Sequence, residues 1–299
     1  MTSPRVTRAI GRHLVDLPPG AETLETYSFN EVPIELRPDV QTLEHFQQMV
    51  AKQERYLRES VHEKRGAMFV RRATHKNGAV SLVSWAKPYS EAMYHMETYF
   101  RIGSGSIAYA GDVSPDLVDS SLGLCEDMSG KWREVQSPEI PSGIGFVAGD
   151  CMLVDKTMNL ESWDMQIHLA GKPDVSFRLT SYAQYRVENG LRDRAGGILA
   201  GLLGAAAGVS QLRNRRRPVG PIEADEILIA GTQDGKRTYG FKWEAPGKAA
   251  SLAEPNLNVS MRVGQSAYPT NNESFADDEE ALAIWDAVVE SIRLRLGAA

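Results

Sequence analysis

Polar and apolar residues alternate through Arg12–Leu17 and stop at Pro18-Pro19-Gly20. A period of two ended by Pro and Gly predicts a strand and a turn. Tyr27–Leu36 alternates again, and Pro33 inside it marks an edge strand or a bulge. Then the period changes. Over 39–64, Val40, Leu43, Phe46, Val50, Leu57 and Val61 fall on one helical face with charges elsewhere, and Gly66 follows as a stop. Ala67–Thr74 and Val80–Ala86 read as strands around His75-Lys76-Asn77-Gly78, whose Asn-Gly pair is the strongest hairpin signal in the chain. Met93–Ile102 and Ser106–Ala110 are two more strands. A helix with Ser114 as its cap and Pro115 in its first turn is expected to run to about Met128.

Gln136–Gly145 is rich in Pro, Gly and Ser and places a domain boundary between 1–137 and 138–299. Beyond it, strands are expected at Gly145–Val154, Glu161–Leu169, Val175–Tyr182, Glu226–Gly231, Arg237–Glu244 and Leu257–Val263, with Asp234-Gly235 as a hairpin turn. The last helix takes Ser274 as its cap, with Asp277, Asp278 and Glu279 in the first turn. Leu282, Ile284, Trp285, Val288, Val289 and Ile292 form its apolar face, and Arg293 and Arg295 close it. Hairpin-linked strands with few helices specify an α+β fold, each half a mainly antiparallel sheet with packed helices.

The stretch AGGILAGLLGAAAGVSQLRNRRRP (195–218) runs from an uncharged segment into four arginines and a proline. Its uncharged run ends at Leu212, short of the about 20 strongly apolar residues of a membrane helix. Gly196, Gly197, Gly201, Gly204 and Gly208 dilute it further, and Arg192, Asp193, Arg194 and Arg213 flank it. A transmembrane segment is therefore not expected. Residues 195–211 instead predict a glycine-loaded helix, or partly a loop, since each glycine costs about 1 kcal/mol of helix propensity. Arg213, Arg215, Arg216 and Arg217 form either a solvated basic turn or a patch for an acidic partner surface, and they are the candidate partner-binding residues.

A net charge of −6 argues against a protein whose surface seeks nucleic acid or anionic lipid. Cys125 and Cys151 sit in no CxxC and lack a paired histidine motif, so they form one disulfide or two buried thiols, not a zinc site. The first twenty residues have no apolar core of signal-peptide length, which leaves a cytosolic protein or one whose leader has been removed. There is no GxSxG elbow and no P-loop. GIGFVAG (143–149) misses the third glycine of a dinucleotide fingerprint, and His62-Glu63 lacks the second zincin histidine. No catalytic set, metal site or cofactor site is expected, which favours a binding protein. Tyr94, Tyr99, Tyr109, Tyr182, Tyr185 and Tyr268 would serve an interface or, for most, sheet packing.

Several motifs, in order, carry a family resemblance: GRHLVDLPPGAE (11–22), EIPSGIGFVAGD (139–150), PDVSFRL (173–179), GLRDR (190–194), LRNRRRPVGPIEADE (212–226), YGFKWEAPG (239–247), PNLNVSMRVG (255–264) and EEALAIWDAVVESIRLRL (279–296). Together they resemble the type VI secretion immunity proteins that neutralise family-four Tle phospholipase effectors. Ile10 and Val147 stand where many members carry cysteines, so a disulfide at that place is absent here. The second glycine of the family's stretch after Pro218 is also missing, since Ile222 and Ala224 flank Glu223. The resemblance implies a non-enzymatic, periplasmic protein of two α+β domains around an inter-domain cleft. It implies a 1:1 complex with a cognate lipase effector, gripped so that its lid cannot open. A periplasmic binding or assembly module similar to PsbP/Mog1-like domains is the alternative, and an enzyme whose residues the sequence does not assemble is the third reading.

Overall fold

The structure, a computed structural model, describes residues 5–103, 105–135, 139–194, 207–233, 236–263 and 274–299. Three strands open the chain: β1 (Val6–Ile10), β2 (His13–Leu17) and β3 (Glu22–Phe29). The chain forms two compact units, one of residues 27–158 and one of 1–26 with 159–299. The first 26 residues thus group with the second half of the chain.

In the 27–158 unit, the end of β3 pairs with β4 (Val32–Arg37) around Asn30-Glu31, with Tyr27 opposite Ile34 and Phe29 opposite Val32. Asn30 and Glu31 both take positive φ, 50° and 65°, as a twist-matched two-residue turn requires. Tyr27–Leu36 is therefore a hairpin and not the single strand its pattern suggests. Across the turn the apolar positions shift from odd (Tyr27, Phe29) to even (Val32, Ile34, Leu36), the phase break that a two-residue turn imposes on a period-two pattern.

α1 (Leu43–Glu59) begins where the Thr42 hydroxyl accepts from the His45 N–H at 3.1 Å. It buries Phe46, Val50 and Leu57 against Val80, Leu82, Tyr99 and Ala108. Those residues belong to β6 (Val80–Lys87), β7 (Ser90–Ile102) and β8 (Gly105–Val113), which with β5 (Phe69–Thr74) make an antiparallel sheet in the order β4-β8-β7-β6-β5. The second helix, α2, spans Val118–Ser129 and not Ser114 onward. Ser114 spends its carbonyl on a turn, accepting from Leu117 N–H at 3.0 Å, before the helix starts. β9 (Trp132–Glu134), β10 (Gly145–Ala148) and β11 (Cys151–Val154) form a separate small sheet, so Gly145–Val154 is a hairpin. Its turn residue Gly149 has φ 57° and lies against Leu36, where a side chain would not fit.

In the other unit, β12 (Ser162–His168), β13 (Val175–Tyr182), β14 (Ala207–Arg216), β15 (Asp225–Gln233), β16 (Lys236–Ala245) and β17 (Asn256–Val263) pair antiparallel in the order β14-β15-β16-β17-β13-β12. β15 and β16 pair out to Gln233 opposite Lys236; the expected turn residues 234 and 235 lie outside the described residues. The expected helix over 195–211 is not borne out where it can be seen. Residues 195–206 lie outside the described residues, and from Ala207 the chain is already strand, pairing with Thr232. Ser210 and Gln211 pair with Ala230 and Ile229, and the register shift between Ala207 and Ser210 holds Gly208 at φ 60°, a conformation glycine takes without strain.

α3 (Asp278–Val289) covers this sheet with Trp285, whose ring meets Phe177 at 5.7 Å and Phe241 at 5.6 Å between centroids. Its cap is Asp277 and not Ser274. The Asp277 carboxylate accepts from Glu280 N–H at 2.8 Å, and Glu280 reaches back to Ala276 N–H at 2.7 Å. A short strand, β18 (Arg293–Leu294), then adds to β2, giving a sheet in the order β1-β2-β18. Beneath it Arg12 and Glu161, both buried, form a two-point ion pair at 2.6 and 2.7 Å, and Arg12 also holds the Ala298 carbonyl.

Candidate functional site

β14 determines what the arginine cluster can do. Arg213, Arg215 and Arg217 alternate along an extended chain, so all three share one face, and Arg216 points to the other. The shared face lies over Glu226 on β15, which is fully buried. Arg215 Nε donates to Glu226 Oε2 at 3.0 Å, Arg217 Nη1 bonds Oε1, and Arg213 Nη1 stands 3.8 Å from Oε2. The Trp285 indole N–H also donates to Oε1, at 2.8 Å. A buried carboxylate is tolerated only when it is paired and hydrogen-bonded in this way.

The same arginines reach α3. Arg213 grips Asp286 with two bonds of 2.6 and 3.0 Å, and Arg217 bonds Asp286 at 2.9 Å and Glu290 at 3.1 Å. Burial would raise the Asp286 carboxyl, but the Arg213 hydrogen bond and the charges of Arg217 and Arg213 outweigh it and hold it below the usual range. Three guanidinium groups and three carboxylates therefore tie α3 to β14 and β15. Among the described residues Arg216 pairs with Glu223 alone, at 2.9 Å, with both side chains about 70% exposed (73% and 70%). Of the four arginines named from the sequence, Arg213 and Arg217 are spent inside the unit. Arg215, with 52% of its side chain exposed, and Arg216 still present charge to a partner.

Beside Glu223 the same unit holds a cavity of about 550 Å³ walled by Pro221, Ile222, Ala245, Pro246, Leu257 and Leu294, with Lys248 and Glu254 at its rim. With His13, its lining comes from five separate stretches of the chain, which no sequence motif announces.

The 27–158 unit contains one arrangement with nucleophile, base and acid spacing that sequence reading missed. His75 Nε2 is 2.7 Å from Ser81 Oγ, and His75 Nδ1 is 3.1 Å from Glu126 Oε2. Ser81 is fully buried, so its hydroxyl is closed to any substrate. The thiols are equally unsuited to attack. Cys125 and Cys151 are both unbonded. Burial raises the Cys125 thiol, and burial with the charges of Asp150 and Glu134 pushes Cys151 up to about 11. Among the described residues no cluster of His, Cys, Asp and Glu could hold a metal ion, and no helix is long and apolar enough to cross a membrane. Of the tyrosines, Tyr99 and Tyr109 are buried, Tyr94 and Tyr182 half-buried, and Tyr185 exposed; Tyr268 lies outside the described residues.

No curated protein sequence matches the chain. Among solved structures, the Tle4–Tli4 complex contains a chain 28% identical with a TM-score of 0.91, each chain covered over its full length (100% of both). The apo structure of the immunity protein TplEi of the type VI secretion system from Pseudomonas aeruginosa matches at 29% identity and a TM-score of 0.89, covering 100% of this chain and 99% of that one. The same TplEi complexed with "L" peptide matches at 28% identity and a TM-score of 0.83, with 99% of each chain covered. Residues 139–297 match the model of the Tle cognate immunity protein 4 C-terminal domain. The chain belongs to the Tle cognate immunity protein 4 family.

Proposed function

We propose that this protein is a type VI secretion immunity protein that binds a cognate Tle lipase effector and keeps it inactive. The observation that carries the reading is the family match over 139–297, supported by full-length likeness to the immunity chain of the Tle4–Tli4 complex. Inhibition works here by binding and not by chemistry, in keeping with a serine, histidine and glutamate set that no substrate can reach. A lipase must expose an apolar face to act at a bilayer. A partner that grips its lid in the closed state shifts the population by its preference for that state, and a preference of about 5.5 kcal/mol moves 1:99 to 99:1. The place of action is the periplasm, where such an effector meets its lipid substrate. Arg215 and Arg216 are the candidate contact residues of the basic cluster, because their guanidinium groups remain at the surface.

Calorimetry with the lipase encoded next to this chain tests the reading, together with a lipase assay at saturating immunity protein. A 1:1 complex and loss of lipase activity are expected. Undetectable binding, or full activity in the presence of excess protein, overturns it. Fractionation of cells producing the native chain tests the location separately.

A further inference from the structure

The hydrogen-bonded groups around His75 do not stop at Ser81. Ser81 Oγ is 2.6 Å from Thr98 Oγ1, and Thr98 Oγ1 is 3.3 Å from Cys125 Sγ. Ser81, Thr98 and Cys125 are all fully buried. The result is a file that begins at the half-exposed Glu126 carboxylate on α2, passes through His75 just before the turn at Lys76–Gly78 and through β6 and β7, and ends at the buried Cys125 thiol on α2, which Ser81 also approaches.

Each member donates in one direction and accepts from the other, so the whole file has a polarity. With His75 neutral, its Nδ1–H faces the carboxylate and Nε2 accepts from the Ser81 hydroxyl. Ser81 then accepts from Thr98, and Thr98 accepts from the Cys125 S–H. With His75 protonated, Nε2–H donates to Ser81, Ser81 donates to Thr98, and Thr98 donates to the Cys125 sulfur. Every oxygen and nitrogen keeps its partners in both states. The one group that loses a partner on reversal is the thiol proton, the weakest donor in the set. The charged groups against His75 are Glu126, at 3.1 Å, and Lys76 beside it, whose ammonium stands 3.6 Å from the same carboxylate; Cys125 closes the far end.

We infer that this file is a reversible hydrogen-bond relay, in which protonation of His75 flips the donor direction at Cys125 and leaves α2 docked in both states. The relay does not depend on the partner proposed above. Cysteine at position 125 is what makes reversal cheap, because a thiol is a weak donor and gives up its bond to Thr98 at less cost than a serine hydroxyl would.

The test follows two ends of the file in one titration of the full chain. Cys151→Ser leaves Cys125 as the sole thiol, and its S–H stretching band is recorded by infrared while proton–nitrogen correlation spectra report the His75 ring. The expected result is an Nδ1–H tautomer at high pH and an S–H band that moves from a bonded to a free position with the same midpoint as the ring. Cys125→Ser shifts that midpoint to lower pH, and Thr98→Val uncouples band from ring. An S–H band indifferent to the ring titration, an Nε2–H tautomer at high pH, or an unmoved midpoint in Cys125→Ser overturns the relay. Should Thr98→Val fail to fold, the two titrations without it still decide.

Discussion

Trp285 donates its indole N–H to Glu226 Oε1 at 2.8 Å, and both side chains are fully buried. A helix tryptophan and a strand carboxylate thus share the centre of the larger unit, and Arg217 closes on the same oxygen.

Removing that carboxylate should be costly. Glu226→Ala leaves Arg217 buried without its main counter-ion and the indole N–H unpaired. A loss of about 3–5 kcal/mol in urea unfolding is expected, the range for breaking a buried pair from one side. The double variant Glu226→Leu with Arg217→Leu should lose less than Glu226→Ala alone. If the double is the worse of the two, the charge-pair account is wrong.

Arg216 should behave in the opposite way. It makes one exposed pair with Glu223, and such pairs contribute about 0–1 kcal/mol. Arg216→Glu is expected to leave the unfolding midpoint within error and to weaken effector binding, more so at low salt. Calorimetry at two ionic strengths reads both effects, and unchanged affinity removes Arg216 from the contact surface.

Acid sensitivity should come from His13. Burial, with the charges of Arg12 and Arg295, lowers its pKa from 6.5 to about 4. The folded protein then binds fewer protons at this site than the unfolded chain over that interval. Stability is complete above pH 6.5 and falls as the pH drops towards about 4, by up to about 3 kcal/mol. His13→Phe should flatten this part of the stability profile. A parallel profile in the variant would assign the acid loss to other groups.

The end of α3 gives a smaller, sharper test. Asp277→Ala should cost about 1 kcal/mol, the usual value of a lost N-cap, and Ser274→Ala should cost less. Equal losses in denaturant titrations would mean that the cap is not where the hydrogen bonds place it.

Many of the strand positions could be read from the chain, because a half-buried strand carries a period of two. The errors share a cause. At Asn30-Glu31 the alternation changes phase between Phe29 and Val32, a break of one position that reads as a bulge beside Pro33 and not as a turn. At Leu212–Pro218 the spacing Arg213, Arg215, Arg217 was the informative signal, since alternate charges on a strand share a face. The uncharged residues before it suggested a helix and obscured that spacing. Which acid would meet those arginines could not be read, because Glu226, Asp286 and Glu290 come from two later segments whose positions only the folded sheet supplies. The His75 file was hidden for the same reason: His75 and Glu126 are 51 positions apart.

The Arg12 clasp on the Ala298 carbonyl spans 286 positions, nearly the whole chain. During synthesis β1 and β2 are made long before β18, the strand that completes their sheet. Residues 27–158 have all their own strands long before then and can close alone. β1 and β2 must wait for β18, so the larger unit matures after the smaller one.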